Sequence, residues 1–157
     1  MPDLAAIDVI APNFKRRLSG VTSTVIRLVP LQAHSIAITA CAPEMPDHVP
    51  NVSWTRLPFM PRRGPHGARV WHARRNVEMI AGLALRNLLG KRIKLLFTSA
   101  SQRHHTGLTK ALIQRMDAVI ATSAKTAAYL EREAPVLPHG IATATFAPHP
   151  DNPALRA

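Results

Sequence analysis

Short apolar runs and amphipathic stretches alternate along the chain, and their order predicts strand followed by helix several times over. Residues 7–12 (Ile7, Asp8, Val9, Ile10, Ala11, Pro12) form an apolar run stopped by Pro12 and Asn13, which suits a buried strand. From Thr22 to Leu31, Val25, Leu28 and Val29 recur at helical spacing, with Pro30 near the expected end. Residues 35–41 predict a second strand, 42–50 a proline-rich loop, and 52–58 an alternating third strand. After a Pro/Gly/Arg loop at 59–67, the positions Val70, Ala73, Val77, Ile80, Ala84 and Leu88 share one helical face, which predicts a helix from Arg69 to Leu89. Gly90 supplies its stop, and Lys91 and Arg92 suit the negative end of its dipole. A fourth strand is expected at 94–98, a short helix at about 105–115 and a fifth strand at 117–122. Ser123 then caps a helix running to Glu133, and residues 136–141 close with Pro138, His139 and Gly140.

Short apolar strands alternating with helices indicate an α/β domain, a Rossmann-like parallel sheet covered by helices on both faces. The 157 residues and 46% hydrophobic content fit one domain with a filled core. Residues 1–146 make up that domain, and 147–157, with three prolines and little core-forming sequence, read as the start of an interdomain linker. No run approaches the ~18 to 20 apolar residues of a membrane-spanning helix. The first ten residues carry Asp3 and Asp8 and no basic region, so no signal peptide is expected and the location is cytoplasmic. The single cysteine, Cys41, excludes an internal disulfide framework and sits in an apolar run as a core residue.

Charge adds a partner class. Twenty Lys and Arg against nine Asp and Glu give +11 with His neutral, which suits a nucleic acid, a phosphate-bearing substrate or an acidic membrane. The cations concentrate at Lys15, Arg16 and Arg17 and at Arg62, Arg63, Arg69, Arg74 and Arg75. Aromatic residues make up only 4%, few for stacking on single strands, and no nucleic-acid-binding signature is present, so no nucleic-acid partner is expected.

In open parallel sheets ligands bind where the strands end. The loop 13–24 places Ser19, Gly20 and Val21 at a helix start, where outward N–H groups and the helix dipole attract a phosphate. It contains neither G-x-G-x-x-G nor a P-loop, and a lone glycine there also serves as a plain turn. Between Ser99 and Thr109, His104 and His105 can position hydroxyls or move protons near neutral pH, or stand as ordinary loop histidines. No third ligand lies at suitable spacing, so no metal is expected. Pro138, His139 and Gly140 make a sharp turn. No carboxylate pair suggests glycosidase chemistry and no G-x-S-x-G a hydrolase.

Taken in order, these segments resemble one family. Lys15-Arg16-Arg17-Leu18-Ser19-Gly20-Val21-Thr22-Ser23-Thr24 is similar to the glycine loop of family 4 retaining glycosyltransferases of the GT-B fold. Met116 to Ser123 resembles the strand preceding the donor-side hinge, and Val136-Leu137-Pro138-His139-Gly140-Ile141 the segment that ends the first domain. Trp71 to Met79 and Thr98 to Thr106 resemble the lipopolysaccharide core mannosyltransferases of alphaproteobacteria. The resemblance implies the N-terminal, acceptor-side half of a GT-B enzyme, with a C-terminal donor domain following or supplied by a separate chain. It implies retaining, metal-free transfer from a nucleotide-diphosphate sugar, GDP-mannose, to a lipid A and inner-core lipopolysaccharide acceptor. Ser19, Gly20 and Val21 would approach the donor, and His104 and His105 would lie near the transferred sugar. Arg16, Arg17, Arg74 and Arg75, with His139 and Gly140, would hold substrate. The positive charge also suits peripheral contact with the anionic inner face of the cytoplasmic membrane.

Overall fold

A computed structural model describes residues 2–15, 19–138 and 140. Among them six strands form one parallel sheet: β1 (Val9–Pro12), β2 (Ile38–Cys41), β3 (Asn51–Val52), β4 (Arg69–Ala73), β5 (Ile93–Ser99) and β6 (Ala118–Ala121). Their spatial order is β3-β2-β1-β4-β5-β6, so the chain runs outward from β1 in one direction, crosses back to β4 and runs outward in the other. That is the Rossmann-like order, and it leaves a crevice where β1 and β4 lie side by side.

Among the described residues four α-helices cover the sheet: α1 (Gly20–Ala33), α2 (Asn76–Asn87), α3 (Gly107–Ile113) and α4 (Ala124–Ala128). The two-residue period of β1 divides the core. Ala11 packs with Val25 and Val29 of α1 and with Ile38 and Ala40 on one side. Ile10 joins Trp71, Met79, Leu95, Phe97 and Ile113 on the other, under α2 and α3. Trp71 anchors that side with no exposed surface, its indole N–H donating to the Glu78 carbonyl at 2.8 Å. Gly82 of α2 sits over this ring, and a Cβ there would stand 2.6 Å from Trp71 Cδ1. The glycine is what lets the helix lie down on the sheet.

Three helix starts share one device. Ser19, Thr106 and Ser123 each cap a helix, accepting from the N–H of Thr22, Thr109 and Thr126, while paired hydroxyls sit 3.0–3.1 Å apart. The Ser/Thr-x-x-Thr spacing fixes α1, α3 and α4 at the carboxyl edge of the sheet.

The structure corrects three expectations. The helix expected over 69–89 is a strand followed by a helix. Arg69, Trp71 and Ala73 are buried while Val70 and His72 are less so, the period of a strand. Val70 and Ala73 also fit a helical face, which concealed β4, the strand beside β1. The third strand expected over 52–58 pairs only at Asn51–Val52. Ser53 accepts from Thr55 N and opens a 3-10 helix over Trp54–Phe59, which carries Pro58, a residue with no N–H for a ladder. The last helix also stops at Ala128, short of Glu133, and Glu131 adopts φ 53° in the turn beyond it. Gly90, at φ 60°, ends the α2 region as expected. Cys41 is fully buried, which pushes its thiol up to about 12. The linker expected at 147–157 lies outside the described residues.

Candidate functional site

The crevice at the carboxyl edge is built by the segments following β1, β4 and β5. Asn13, immediately after β1, is fully buried; its Oδ1 accepts from Thr22 Oγ1 at 3.2 Å and from Arg75 NH1 at 2.8 Å. Arg75 NH2 also donates to Ser19 Oγ at 2.6 Å. One guanidinium thus ties the end of β4 to both ends of the loop entering α1. Beneath it Glu78, with no exposed surface, accepts from the N–H groups of Arg74 at 2.7 Å and Arg75 at 3.1 Å. The same carboxylate lies 3.5 Å from Arg75 NH1. Burial is the largest influence on Glu78 and raises its pKa, opposed by those backbone donors and by both guanidiniums.

His72 stands beside this network. Arg74 NH2 lies 3.4 Å from its Nδ1, and a guanidinium only donates, so Nδ1 accepts. Nε2 then carries the proton and donates to Thr98 Oγ1 at 2.7 Å. Burial, then the Arg74 charge, lowers His72 from 6.5 to about 3. A histidine with a depressed folded pKa loses stability as pH falls, because the unfolded chain takes up the proton first. Native stability is therefore expected to drop between pH 6.5 and about 3 by on the order of 4 kcal/mol from this residue. Urea unfolding at stepped pH checks it: His72→Gln should flatten the curve in that window, and an unchanged slope would contradict the assignment.

Two adjoining cavities open on the crevice. One, of about 470 Å³, is lined by residues that include Lys15, Ser19, Gly20, Arg74 and Thr98. The other, of about 330 Å³, includes Val21, Arg74, Arg103, His104 and His105. Arg74, Val21 and Ala100 border both, and neither lining contains a carboxylate. Cations, the positive end of α1 and open N–H groups converge on this space, a setting for a negatively charged ligand.

The sequence-predicted residues divide as follows. Ser19, Gly20, Val21, Arg74, Arg75, His104 and His105 all come together at the crevice. His104 packs edge-on against Tyr129 with centroids 4.9 Å apart. His105 has a buried Nε2 with no hydrogen-bond partner among the described residues, and burial lowers its pKa. Gly140 is exposed beyond the last bridge of the sheet, and it does not line either cavity. Arg16, Arg17 and His139 lie outside the described residues. Asn13, His72, Glu78 and Thr98 were not singled out from the sequence. Asn13 was readable as the first polar residue after a strand; the others depended on recognising β4.

A parallel α/β domain of Rossmann-like order, with a cationic crevice at its switch point, is the class that fold and site define. Two curated proteins are similar to the chain over most of its length. The chain is 54% identical over 151 residues to the lipopolysaccharide core biosynthesis mannosyltransferase LpsB of Rhizobium meliloti. It is 50% identical over 155 residues to the lipopolysaccharide core biosynthesis mannosyltransferase LpcC of Rhizobium leguminosarum bv. viciae. Each match covers 94% of this chain and 43% of the relative, so the chain spans less than half the length of these proteins and is similar to their N-terminal part. No family model matches the chain.

Proposed function

We propose that this chain is the acceptor-side half of a retaining GT-B glycosyltransferase that moves mannose from GDP-mannose to a lipid A-linked lipopolysaccharide core acceptor. The observation that carries the reading is one-half identity, over nearly the whole chain, to two proteins named as lipopolysaccharide core mannosyltransferases. The crevice chemistry supports it. The α1 start at Ser19, Gly20 and Val21 offers N–H groups to the donor diphosphate, and Arg74, held by His72 through NH1 and NH2 and bordering both cavities, brings its positive charge to phosphate or carboxylate groups of the inner core. Arg75 is engaged by Asn13 and Ser19, so its part is to hold the glycine loop in place. His104 and His105 border the cavity where the transferred sugar would sit. A donor domain, from further sequence or a separate chain, completes the proposal, as do Arg16, Arg17, His139 and Gly140 as substrate contacts. The enzyme would work without a metal, at the cytoplasmic face of an anionic membrane.

The test is mannose transfer from GDP-mannose to a Kdo-containing lipid A acceptor, measured for the chain alone and for the product of its gene with all downstream sequence. Transfer by the longer product and little by the chain alone is expected; no transfer by either would overturn the reading. Gly20 supplies a sharper prediction. A Cβ at this position meets nothing within 4 Å, so Gly20→Val should change stability by less than about 1 kcal/mol. The added branch projects where the ligand approaches, and transfer should fall by roughly 100-fold. Paired unfolding and turnover assays separate the two effects.

A further inference from the structure

A different surface runs along α2, from Trp54, two residues beyond the carboxyl end of β3, to the opposite edge of the sheet, where β5 begins. The 3-10 helix Trp54–Phe59 and the residues after it run beside the turn that leads from α2 into β5. Three hydrogen bonds fasten the two segments together. Lys91 Nζ donates to the Met60 carbonyl at 2.7 Å, Arg92 N to the Arg62 carbonyl at 2.7 Å, and Arg62 Nε to the Gly90 carbonyl at 2.9 Å.

Large apolar side chains point outward from both segments. Phe59 is 88% exposed, Leu88 81% and Trp54 56%. Such exposure is costly in water, and here it falls on two segments that hydrogen bonds hold together. Between the segments lies an apolar groove of about 550 Å³, walled by Trp54, Leu57 and Pro58 on one side and by Ala81, Ala84 and Leu89 on the other. It extends along α2 toward Phe14 and Val77 at the crevice. Adjoining its far end, across Leu89 and Gly90, is a second cavity of about 520 Å³ whose lining includes Arg62, Arg86, Lys91, Arg92 and Lys94. Asp117 is the one carboxylate in that lining, and Arg86 holds it at 2.7 Å. Residues 54–63 and 88–94 contain six Lys or Arg (Arg56, Arg62, Arg63, Lys91, Arg92 and Lys94) and no acid.

We infer that this surface is the one by which the protein docks on an anionic phospholipid membrane. Exposed Trp and Phe beside Leu fit the boundary between headgroups and acyl chains, where aromatic rings are at home. The flanking cations face the lipid phosphates, each adding attraction close to the surface. Charge complementarity selects this occupant over a second copy of the chain, since two such basic surfaces repel. The groove along α2 leads from the docked surface toward the crevice. The assignment rests on the membrane-linked acceptor proposed above and names the surface that meets its membrane.

Vesicle flotation with the purified chain tests it, comparing phosphatidylcholine vesicles with vesicles containing about 30% phosphatidylglycerol. Binding to the anionic vesicles, weakened by salt, is expected. The double substitutions Phe59→Ser with Leu88→Ser, and Arg63→Glu with Arg92→Glu, should each lower the partition coefficient at least about tenfold. All four side chains lie on the surface, and circular dichroism confirms that the variants fold. Trp71 is buried and Trp54 exposed, so a blue shift of fluorescence on binding reports Trp54 directly. No anionic preference, or binding that both variants retain, would overturn the proposal. So would sedimentation showing a dimer that Phe59→Ser abolishes. Mannose transfer to a detergent-dispersed acceptor by the gene's longer product should persist in both double variants. Loss of vesicle binding with transfer intact removes this surface alone, whereas vesicle binding without transfer removes the transferase reading alone.

Discussion

Replacing Glu78 with alanine is expected to lower stability by about 3–5 kcal/mol, a large share of what a domain of this size possesses. The carboxylate has no solvent contact, so its partners cannot turn to water when it is removed. Two backbone donors at the start of α2, Arg74 N and Arg75 N, lose their acceptor, and each buried orphan costs about 1–3 kcal/mol. Arg75 loses its carboxylate neighbour while still wedged against Asn13 and Ser19. The crevice should suffer with the fold, because the glycine loop is held through Arg75. Glu78→Gln keeps an oxygen for the backbone donors and should cost clearly less. Urea unfolding of the three proteins checks the order; equal stability of Glu78→Ala and the parent would contradict the network.

Arg69→Ala should be comparably damaging, by about 4 kcal/mol and roughly 10 °C in Tm. Arg69 is 1% exposed and its guanidinium serves three main-chain carbonyls: Ile7 from Nε at 3.0 Å, Pro61 from NH1 at 2.6 Å and Leu4 from NH2 at 2.7 Å. It therefore fixes the N-terminal turn and the loop before β4 to the middle of the sheet. Lysine has one terminal nitrogen and cannot reproduce a planar fork, so Arg69→Lys should recover only part of the loss. Thermal melts followed by circular dichroism give the comparison, and full rescue by lysine would show that charge alone matters there. Arg69 counts toward the basic composition of the chain, but it faces no ligand. The positive charge read from composition includes cations spent on structure, Arg69 and Arg75 among them.

That division shows where the sequence was informative. The alternation of short apolar runs with amphipathic stretches defined the parallel α/β class, because burial on both faces of a sheet leaves that signature. The segments at 13–24 and 99–109 were recognisable as candidate loops, since a polar stretch between a strand and a helix lies at the carboxyl edge where such sheets bind ligands. β4 was not recognisable. Five residues with Val70 and Ala73 three apart, running into a helix, satisfy both periods, and only pairing with β1 and β5 decides between them. With β4 went His72 and Glu78, whose roles depend on partners 26 residues away in sequence, as at Thr98, or on a burial that no local pattern announces. The 3-10 helix at Trp54 was hidden in the same way, because alternation alone does not reveal that Trp54 faces outward.

The central claim is that the crevice between the ends of β1 and β4 is where this chain meets its substrates. Amide chemical-shift mapping of the ¹⁵N-labelled chain during titration with GDP-mannose, and separately with a phosphorylated Kdo-containing oligosaccharide, tests it most directly. The account predicts shifts concentrated at Ser19 to Val21, Arg74 to Asn76 and Ser99 to Thr106, and weakened by Arg74→Ala. Shifts gathered at the opposite edge, around Arg62 and Lys91, or none at millimolar ligand, would contradict it.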